Sequence, residues 1–323
     1  INEYLKKRKG NYAIEFDVLG YQPEQWKPIH SLIVIKMMAW ELNISWWTDL
    51  SFAELIQKLG NEKVLEILPD YPQNAPTIIA DNFKCLPPIN SNFAETDKAF
   101  RQMMGWTGTH IGSNNWVINS NKSVSGKPII ANDPHLAFSA PGKWYAAVIK
   151  SKDWNTAGVT LPGVPGVVIG KGDNISWVLT NVMNDDADFY AEKLDSTKAK
   201  YLIDGQWQNL KIFKDTIRVK DGKNQIIEIK ETHRGPIISS IHPFKFIYNT
   251  EDQNIQPISM RWSGNEFSDE MLAFYKINKA KNWNEFRDAV KYFGIPGQNF
   301  VYADAQGNIG YIMGARIPLR NSN

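Results

Sequence analysis

The sequence has few of the features that mark disulfide-rich, membrane-spanning or low-complexity proteins. Its 323 residues include one cysteine, Cys85, which excludes an intrachain disulfide. We interpret Cys85, in the apolar stretch 85–88, as a buried and inert thiol. The longest apolar run, residues 32–40, is interrupted by Lys36 and is too short to span a bilayer. Because internal repeats are also missing, we expect an ordinary globular protein.

An excess of one charge is also lacking. The chain has 36 basic and 34 acidic residues, a net charge of +2, and the two signs are interspersed. This distribution excludes the basic surface that would indicate a nucleic-acid partner or an anionic membrane. Hydrophobic residues make up 43% of the chain, which is enough for a large core.

The sequence also lacks the G-x-S-x-G turn of conventional serine hydrolases, and its five histidines suggest no ordered triad. It has instead the pentapeptide 112–116, in which Ser113 follows Gly112 at the start of a strand-like run. If the Gly112–Ser113 bond were cut, Ser113 would carry a nucleophilic hydroxyl and a free α-amine. An α-amine has a pKa of about 8, so it can act as a base near neutral pH. On its own, the pentapeptide is more typical of a turn.

Further blocks surround Ser113 in a distinctive order. They are residues 20–26, 38–42, 132–136, 161–170, 175–177, 180–188, 298–304 and 307–311. Together they resemble the penicillin acylase (penicillin amidase) family of N-terminal-nucleophile hydrolases, over nearly the whole chain. The resemblance implies an α+β fold, the four-layer αββα sandwich, present here as an internal fragment. It also implies that residues 1–70 are the helical part of a first subunit, that 71–112 are a spacer, and that 113–323 are the N-terminal part of a second subunit.

Local sequence patterns predict helices in the first third of the chain and mostly strands after Ser113. A capping box at residues 51–54 predicts a helix that Gly60 ends, and Asn61 is a candidate cap for a short helix that Pro69 ends. Residues 68–111, rich in Pro, Asn and Asp, indicate an extended or linking segment. Asn282 predicts another helix start. Strands are predicted at 127–131, 144–150, 166–169, 175–180, 212–219, 225–230, 237–240 and 300–303, which favours stacked antiparallel sheets.

The resemblance implies how Ser113 acts. Its hydroxyl first attacks the carbonyl of Gly112, where the missing Cβ permits a strained geometry, and the precursor cuts itself. The same hydroxyl then attacks a substrate amide, the α-amine takes the proton, and an acyl-enzyme forms. The implied protein is a periplasmic or extracellular heterodimer that hydrolyses a linear amide of an N-acylated small molecule, a β-lactam or an acyl-homoserine lactone. Trp40, Trp46 and Trp47 could line the acyl pocket or belong to the core.

Other site residues follow from the same resemblance. The side chain of Asn299 and a backbone N–H of Asn181 or Val182 are expected to stabilise the oxyanion. His135 is expected to hold the α-amine or a bridging water, and Arg320 to orient Asn299 and the substrate. Without the resemblance, Asn299 could be a turn residue, His135 a structural histidine and Arg320 an exposed arginine.

The acidic stretch 185–188 suggests a Ca²⁺ site, because closely spaced carboxylates with a backbone carbonyl supply the oxygen ligands that calcium prefers. The resemblance implies a structural Ca²⁺ held by Asp185, the carbonyl of Ala187 and Asp188, with Asp49 from the first subunit. The alternative is a solvated acidic turn. Asp304 could be a further calcium ligand or, equally, a buried structural acid.

A second hypothesis comes from a different class of protein. The chain could be a secreted, catalytically silent β-rich module that binds calcium for structure only, or an unprocessed precursor fragment. Both predict an intact Gly112–Ser113 bond and no acyl-enzyme, whereas the hydrolase hypothesis predicts cleavage at that bond.

Overall fold

The computed structural model describes residues 1–67, 74, 93–105, 112–136, 140–239 and 257–320. Cys85 and most of the predicted linking segment lie outside these residues. The chain divides into two compact units, each built from segments that are distant in sequence. The first unit comprises Ile1–Leu42, His110–Val182 and Ser268–Ala315, and the second comprises Asn43–Thr109, Met183–Phe267 and Arg316–Asn323. Each unit therefore combines chain from both sides of the Gly112–Ser113 bond.

Six helices precede the strands in the described residues, and two more helices lie between the twelfth and thirteenth strands. The helices are α1 (Asn2–Lys7), α2 (Ile14–Leu19), α3 (Pro28–Leu42), α4 (Ser45–Leu59), α5 (Asn61–Leu65), α6 (Phe93–Met103), α7 (Glu270–Lys279) and α8 (Trp283–Val290). The strands are β1 (Gly112–Ile118), β2 (Ile129–His135), β3 (Tyr145–Ser151), β4 (Trp154–Thr160), β5 (Ile169–Lys171), β6 (Ile175–Asn181), β7 (Ala187–Ala191), β8 (Lys200–Ile203), β9 (Gln206–Asn209), β10 (Lys211–Ile217), β11 (Gln225–Glu231), β12 (Ile258–Trp262), β13 (Gln298–Asp304) and β14 (Ile309–Gly314). The expected combination of helices with antiparallel sheets is confirmed. None of the helices in the described ranges is long and apolar enough to cross a membrane.

The first unit is organised around a six-stranded antiparallel sheet with the order β14-β13-β6-β5-β4-β3. Alternate residues of β13 point to one face, and Phe300 and Tyr302 are fully buried there against α8. The rings of Phe286 and Trp283 each lie 5.2 Å from the ring of Tyr302. Burying each such aromatic ring contributes about 1.5–3 kcal/mol, so this contact fixes α8 on the sheet.

The antiparallel ribbon of β1 and β2 lies beside β6 and β13 in the same unit. The backbone N–H of Leu179 in β6 donates to Oδ1 of Asn132 in β2, at 3.2 Å. The side chain of Asn115 in β1 donates to the carbonyl of Asn299 in β13, at 3.4 Å. Asparagine side chains therefore attach the strand that contains Ser113 to the central strands of the sheet.

The second unit contains α4, α5 and α6 with three two-stranded ribbons, β7 with β12, β8 with β9, and β10 with β11. Its buried residues include Trp46, Ala187 and Ile258, each fully enclosed. Every residue of β10 is exposed. The β7–β12 ribbon carries Ala187 and Asp188, opposite Trp262 and Arg261.

Two helix predictions are confirmed and two are wrong. Gly60 ends α4 with a φ of +80°, which glycine adopts without strain. Asn282 caps α8 by accepting the N–H of Glu285 at 3.0 Å. However, α4 begins at Ser45, not Ser51, because burial of Trp46 extends the helix beyond the local capping signal. The short helix α5 is preceded by Gly60 as its cap, so Asn61 lies inside it.

Helix α6 falls within the predicted linking segment. Among the α6 residues whose burial is described, Asp97 and Arg101 are buried, and they form an ion pair one turn apart. Nε1 of Trp47 also donates to Asp97, at 3.0 Å. The extended segment was expected from the Pro-, Asn- and Asp-rich composition of residues 68–111, which concealed this short helix.

The strand predictions also need correction. Strands β4, β7, β8, β9, β12 and β14 were not predicted; in β4, Asn155 and Gly158 interrupt the β pattern. The strand expected at 166–169 is instead the shorter β5, because Val167 and Val168 are buried core residues that precede it. Ile237, in the strand expected at 237–240, forms only an isolated bridge with Ser259; residue 240 lies outside the described residues.

Candidate active site

Ser113 is the second residue of β1 and pairs with Pro134 across the ribbon. It lines a cavity of the first unit together with Asn181 at the end of β6. Asn115, on the same face of β1 as Ser113, donates to the carbonyl of Asn299. Ser113 and Asn181 therefore share one cavity, whereas Asn299 lies on the neighbouring strand β13 and is not among the residues that line it.

The cavity beside Ser113 is apolar and small. Its volume is about 70 Å³. Its walls come from α3, α7, β2, β6, the 161–169 loop and the turn before β13, with Leu42, Leu136, Trp144, Phe274, Phe293 and Ile295 among the lining side chains. Such a space accepts an apolar acyl group and excludes a charged one, because burying a charge without a partner is costly.

Trp40, Trp46 and Trp47 are not among the residues that line this cavity. Trp46, which was expected in the acyl pocket or in the core, is fully buried in the second unit beside Trp47. The rings that line the cavity belong to Trp144, Phe274 and Phe293. No local pattern distinguishes these rings from core aromatics, because the cavity wall is continuous with the core of the first unit.

His135 lies at the end of β2, paired with Gly112. Its Nε2 is 2.8 Å from Oδ2 of Asp133. Because a carboxylate can only accept, the neutral ring carries its proton on Nε2 and leaves Nδ1 as an acceptor. Nδ1 lies 3.6 Å from the position that a Cβ on Gly112 would occupy. The imidazole is thus beside the predicted scissile residue, on the face of the ribbon opposite to the side chain of Ser113.

The steric reason expected for Gly112 finds no support in the continuous chain. Gly112 does not adopt a positive φ. A Cβ there would meet only Nδ1 of His135, at an ordinary van der Waals distance. Alanine would therefore fit the strand, and any strain at this bond must arise when the cleavage geometry is reached.

The amide of Asn299 is held at both ends. Nδ2 donates to Oγ1 of Thr180 and to the carbonyl of Asn181, both at 3.3 Å. Oδ1 accepts from the hydroxyl of Tyr311 at 2.8 Å. These partners orient the amide, with Oδ1 towards Tyr311 and Nδ2 towards the end of β6. The two Nδ2 bonds are long, so a developing oxyanion could replace one of them.

The second predicted donor is already engaged. The N–H of Val182 donates to the carbonyl of Gly297 at 2.9 Å. An oxyanion would have to compete with that carbonyl for the Val182 N–H. The side chain of Asn181 donates to the carbonyl of Leu42 at 2.8 Å, which attaches the end of α3 to the cavity wall.

Tyr311 was not among the predicted site residues, although it lies in one of the blocks of resemblance. We expect Tyr311→Phe to lower kcat for an amide substrate about three- to tenfold, since one neutral hydrogen bond that orients Asn299 is lost. Steady-state kinetics would show little change in KM. Tyr145→Phe, at an exposed tyrosine of β3, is the matched control. Equal rates for Tyr311→Phe and the wild type would contradict an orienting role.

Arg320 lies in the second unit, in contact with the residues predicted to bind calcium. Its Nε donates to Oδ1 of Asp188 at 2.7 Å, and its Nη2 lies 3.0 Å from Oδ2 of Asp185. The guanidinium is only 10% exposed. Its predicted role at Asn299 stays a prediction, and the described contacts of Arg320 are with the acidic residues.

The acidic cluster has more negative than positive charge. Desolvation and the charge of Asp185 raise the pKa of Asp49 to about 7, although Asp49 as a whole residue is exposed. Burial likewise raises the pKa of Asp185, against the opposing effect of Arg320. Three carboxylates, of Asp49, Asp185 and Asp188, thus surround one guanidinium. A further cation near them would relieve this imbalance.

Two observations bear on whether calcium fits this cluster. Oδ1 of Asp185 and Nη1 of Arg320 are buried without a hydrogen-bond partner, and an unpaired buried carboxylate oxygen is a suitable calcium ligand. However, the part of the chain that the structure describes contains no group of three or more acidic, histidine or cysteine side chains close enough to hold a metal ion. The donor chemistry fits calcium, but Asp49, Asp185 and Asp188 would have to move closer together.

Comparisons with known proteins cover the whole chain. A family model described as penicillin amidase matches residues 1–323. The acyl-homoserine lactone acylase QuiP of Pseudomonas aeruginosa is 31% identical over 337 residues, covering 99% of this chain and 39% of that protein. Penicillin G acylase of Escherichia coli is 29% identical over 303 residues, covering 90% of this chain and 35% of that protein. The chain therefore spans about two fifths of the length of such relatives.

A solved structure agrees with these sequence matches. The thermostable penicillin G acylase from Alcaligenes faecalis superposes with a TM-score of 0.54 at 25% identity. The match covers 62% of this chain and 35% of that one. This chain is therefore similar to that acylase in fold as well as in sequence.

Proposed function

Because the chain belongs to the penicillin amidase family, we propose that it is part of an amidohydrolase that uses Ser113 as an N-terminal nucleophile. The observation that supports this most strongly is the position of Ser113. It lies at the start of β1, directly after Gly112, on the wall of an apolar cavity that it shares with Asn181. Asn299, with an oriented amide, is attached to the same strand through Asn115.

The proposed reaction has two stages. In the first, Oγ of Ser113 attacks the carbonyl carbon of Gly112, its proton passes to the amide nitrogen, and the C–N bond breaks, which frees the α-amine of Ser113 and leaves Gly112 as an ester on Oγ. Water then hydrolyses this ester, which releases the carboxylate of Gly112 and restores the hydroxyl of Ser113. In the second, that amine accepts the hydroxyl proton as Oγ attacks the substrate carbonyl. Asn299 stabilises the oxyanion, the leaving amine takes the proton, and water releases the acid from the acyl-enzyme.

The cavity indicates the acyl group. At about 70 Å³ it is less than half of the roughly 150 Å³ cavity that accommodates benzene. A slim aliphatic acyl chain therefore fits this space better than a phenyl ring. The relatives named above include acylases of acyl-homoserine lactones and of penicillin, and the cavity size favours the former type of substrate.

We also propose the family's four-layer sandwich and its division into two subunits, with the cut at Gly112–Ser113. Segments from both sides of the cut contribute to each compact unit. After cleavage, the two pieces would therefore stay together through non-covalent packing, as a heterodimer. A periplasmic or extracellular location stays a prediction from the family.

A panel of acyl amides tests the proposed activity. Full-length protein should release amine from an aliphatic acyl-homoserine lactone faster than from a phenylacetyl amide of the same amine, because of the cavity size. No amine release from either substrate by protein cleaved before Ser113 would contradict the hydrolase proposal. It would favour the alternative, a catalytically silent calcium-binding module.

Calcium remains part of the proposal, as a structural ion held by Asp49, Asp185, Asp188 and the carbonyl of Ala187. When bound, it would neutralise the excess negative charge of the cluster. We expect calcium to raise the melting temperature of the metal-free protein by about 5 °C.

Arg320→Gln should lower the melting temperature of the metal-free protein, because the three carboxylates lose their guanidinium. It should also enlarge the calcium-induced rise, since calcium no longer competes with a resident cation. Thermal unfolding with calcium or with a chelator measures both effects. Arg287→Gln, at an exposed arginine of α8, should behave as the wild type. A melting temperature insensitive to calcium in every variant would exclude the metal site.

A further inference from the structure

A buried carboxylate supports the turn that leads to the predicted oxyanion residues. Glu270 is the first residue of α7 and is 4% exposed. Its Oε1 accepts the backbone N–H groups of Gly294 and Ile295, both at 3.1 Å. Within the described residues no Lys, Arg or His pairs with it. Burying a carboxylate without a cation is costly, so the two hydrogen bonds and the N-terminus of α7 must stabilise it.

The turn that Glu270 holds contributes to the site in three ways. Ile295 lines the cavity beside Ser113. The carbonyl of Gly297 accepts the N–H of Val182. Asn299 follows directly, as the second residue of β13. Both predicted oxyanion donors are therefore placed by backbone that a single side chain anchors.

We propose that Glu270 is a positioning residue for Asn299 and Val182, which rests on the proposed role of these two residues in amide hydrolysis. Glu270 does not contact the cavity; it acts through the backbone of Gly294 and Ile295. Oxyanion donors must lie within about 0.4 Å of their productive distance, and a displacement of about 1 Å can cost about a hundredfold in rate. Releasing two hydrogen bonds at the base of this turn is enough to permit such a displacement.

Kinetics of Glu270→Ala, Glu270→Gln and Asp269→Ala test the proposal. Asp269 caps the same helix by accepting the N–H of Leu272 at 2.9 Å, so its loss weakens α7 without touching the turn. Glu270→Ala should lower kcat at least tenfold and change KM less than twofold. Glu270→Gln should recover most of the loss, because its amide oxygen can accept both N–H groups. Asp269→Ala should lower the melting temperature but keep kcat within twofold of the wild type.

Coupling to Asn299 separates positioning from general destabilisation. In an Asn299→Ala background, Glu270→Ala should lower kcat by a clearly smaller factor than in the wild type, since only the Val182 N–H is left for it to position. Unchanged kcat in Glu270→Ala, an equal loss in Asp269→Ala, or a full additional loss in the Asn299→Ala background would each overturn the proposal.

Hydrogen exchange provides a measurement that does not depend on turnover. The amides of Val182 and of residues 298–300 should exchange faster in Glu270→Ala than in Asp269→Ala or the wild type. If the wild type hydrolyses no amide but this exchange difference is present, the proposed function fails and the support by Glu270 stands. If the wild type is active and the exchange rates are equal, the inference about Glu270 fails alone.

Discussion

Replacing Ser113 with alanine should leave the full-length protein as one uncleaved polypeptide and lower amide hydrolysis by more than about 10⁴-fold. The same hydroxyl attacks Gly112 in the first stage and the substrate in the second, so one substitution removes both steps. The α-amine is never released, and no other group in the described part of the cavity wall replaces it. Ser113 is also partly buried in β1, where alanine fits without disturbing the ribbon.

Intact mass and amine release measure the two losses separately. Ser125→Ala, in the exposed loop between β1 and β2, is the matched control and should be cleaved and active. A Ser113→Ala protein that still separates into two pieces before residue 113 would refute self-cleavage by this hydroxyl. A cleaved and active Ser113→Ala protein would refute the nucleophile as well.

Asn299→Ala should lower kcat by about 10²–10³-fold with little change in KM. Its Nδ2 is the oriented side-chain donor at the end of β6, and an oxyanion forms only during the reaction. The ground state of the substrate has less need of that donor, which is why the loss should appear in kcat. Melting temperature should fall only slightly, because the side chain is partly exposed and its partners are Thr180, Asn181 and Tyr311.

Asn284→Ala, at an exposed asparagine of α8, is the control for Asn299→Ala. Asn299→Asp adds a further distinction, because a carboxylate there would repel an oxyanion, so its kcat should be no higher than that of Asn299→Ala. A kcat for Asn299→Ala within threefold of the wild type would contradict the assigned role and leave the Val182 N–H as the remaining candidate donor.

The sequence predicted the proximity of Ser113, Asn181 and Asn299 better than it predicted the helices. Ser113, Asn181 and Asn299 were expected together from their order along the chain, and they lie on neighbouring strands of the first unit. Their proximity could be predicted because the resemblance carries information about tertiary contacts, and their catalytic roles stay predictions. It failed for α6, because the Pro-, Asn- and Asp-rich composition of residues 68–111 indicated an extended segment and concealed the short helix.

The contacts of Glu270, Tyr311 and Arg320 could not be derived from local sequence. Glu270 contacts backbone 24 and 25 residues away, and Arg320 contacts Asp188, 132 residues away. Both are long-range electrostatic contacts, which neither periodicity nor capping signals report. Tyr311 is separated from Asn299 by 12 residues, so the β13–β14 register had to be known before its hydroxyl could be placed.

The central claim is that Ser113 becomes an N-terminal nucleophile. Mass spectrometry of full-length wild-type protein, quenched during turnover of an acyl-homoserine lactone, tests it most directly. The predicted result is two polypeptides, the second beginning at Ser113 and carrying the acyl group on that residue. A single unbroken polypeptide, or an acyl group attached elsewhere in the chain, would contradict the claim.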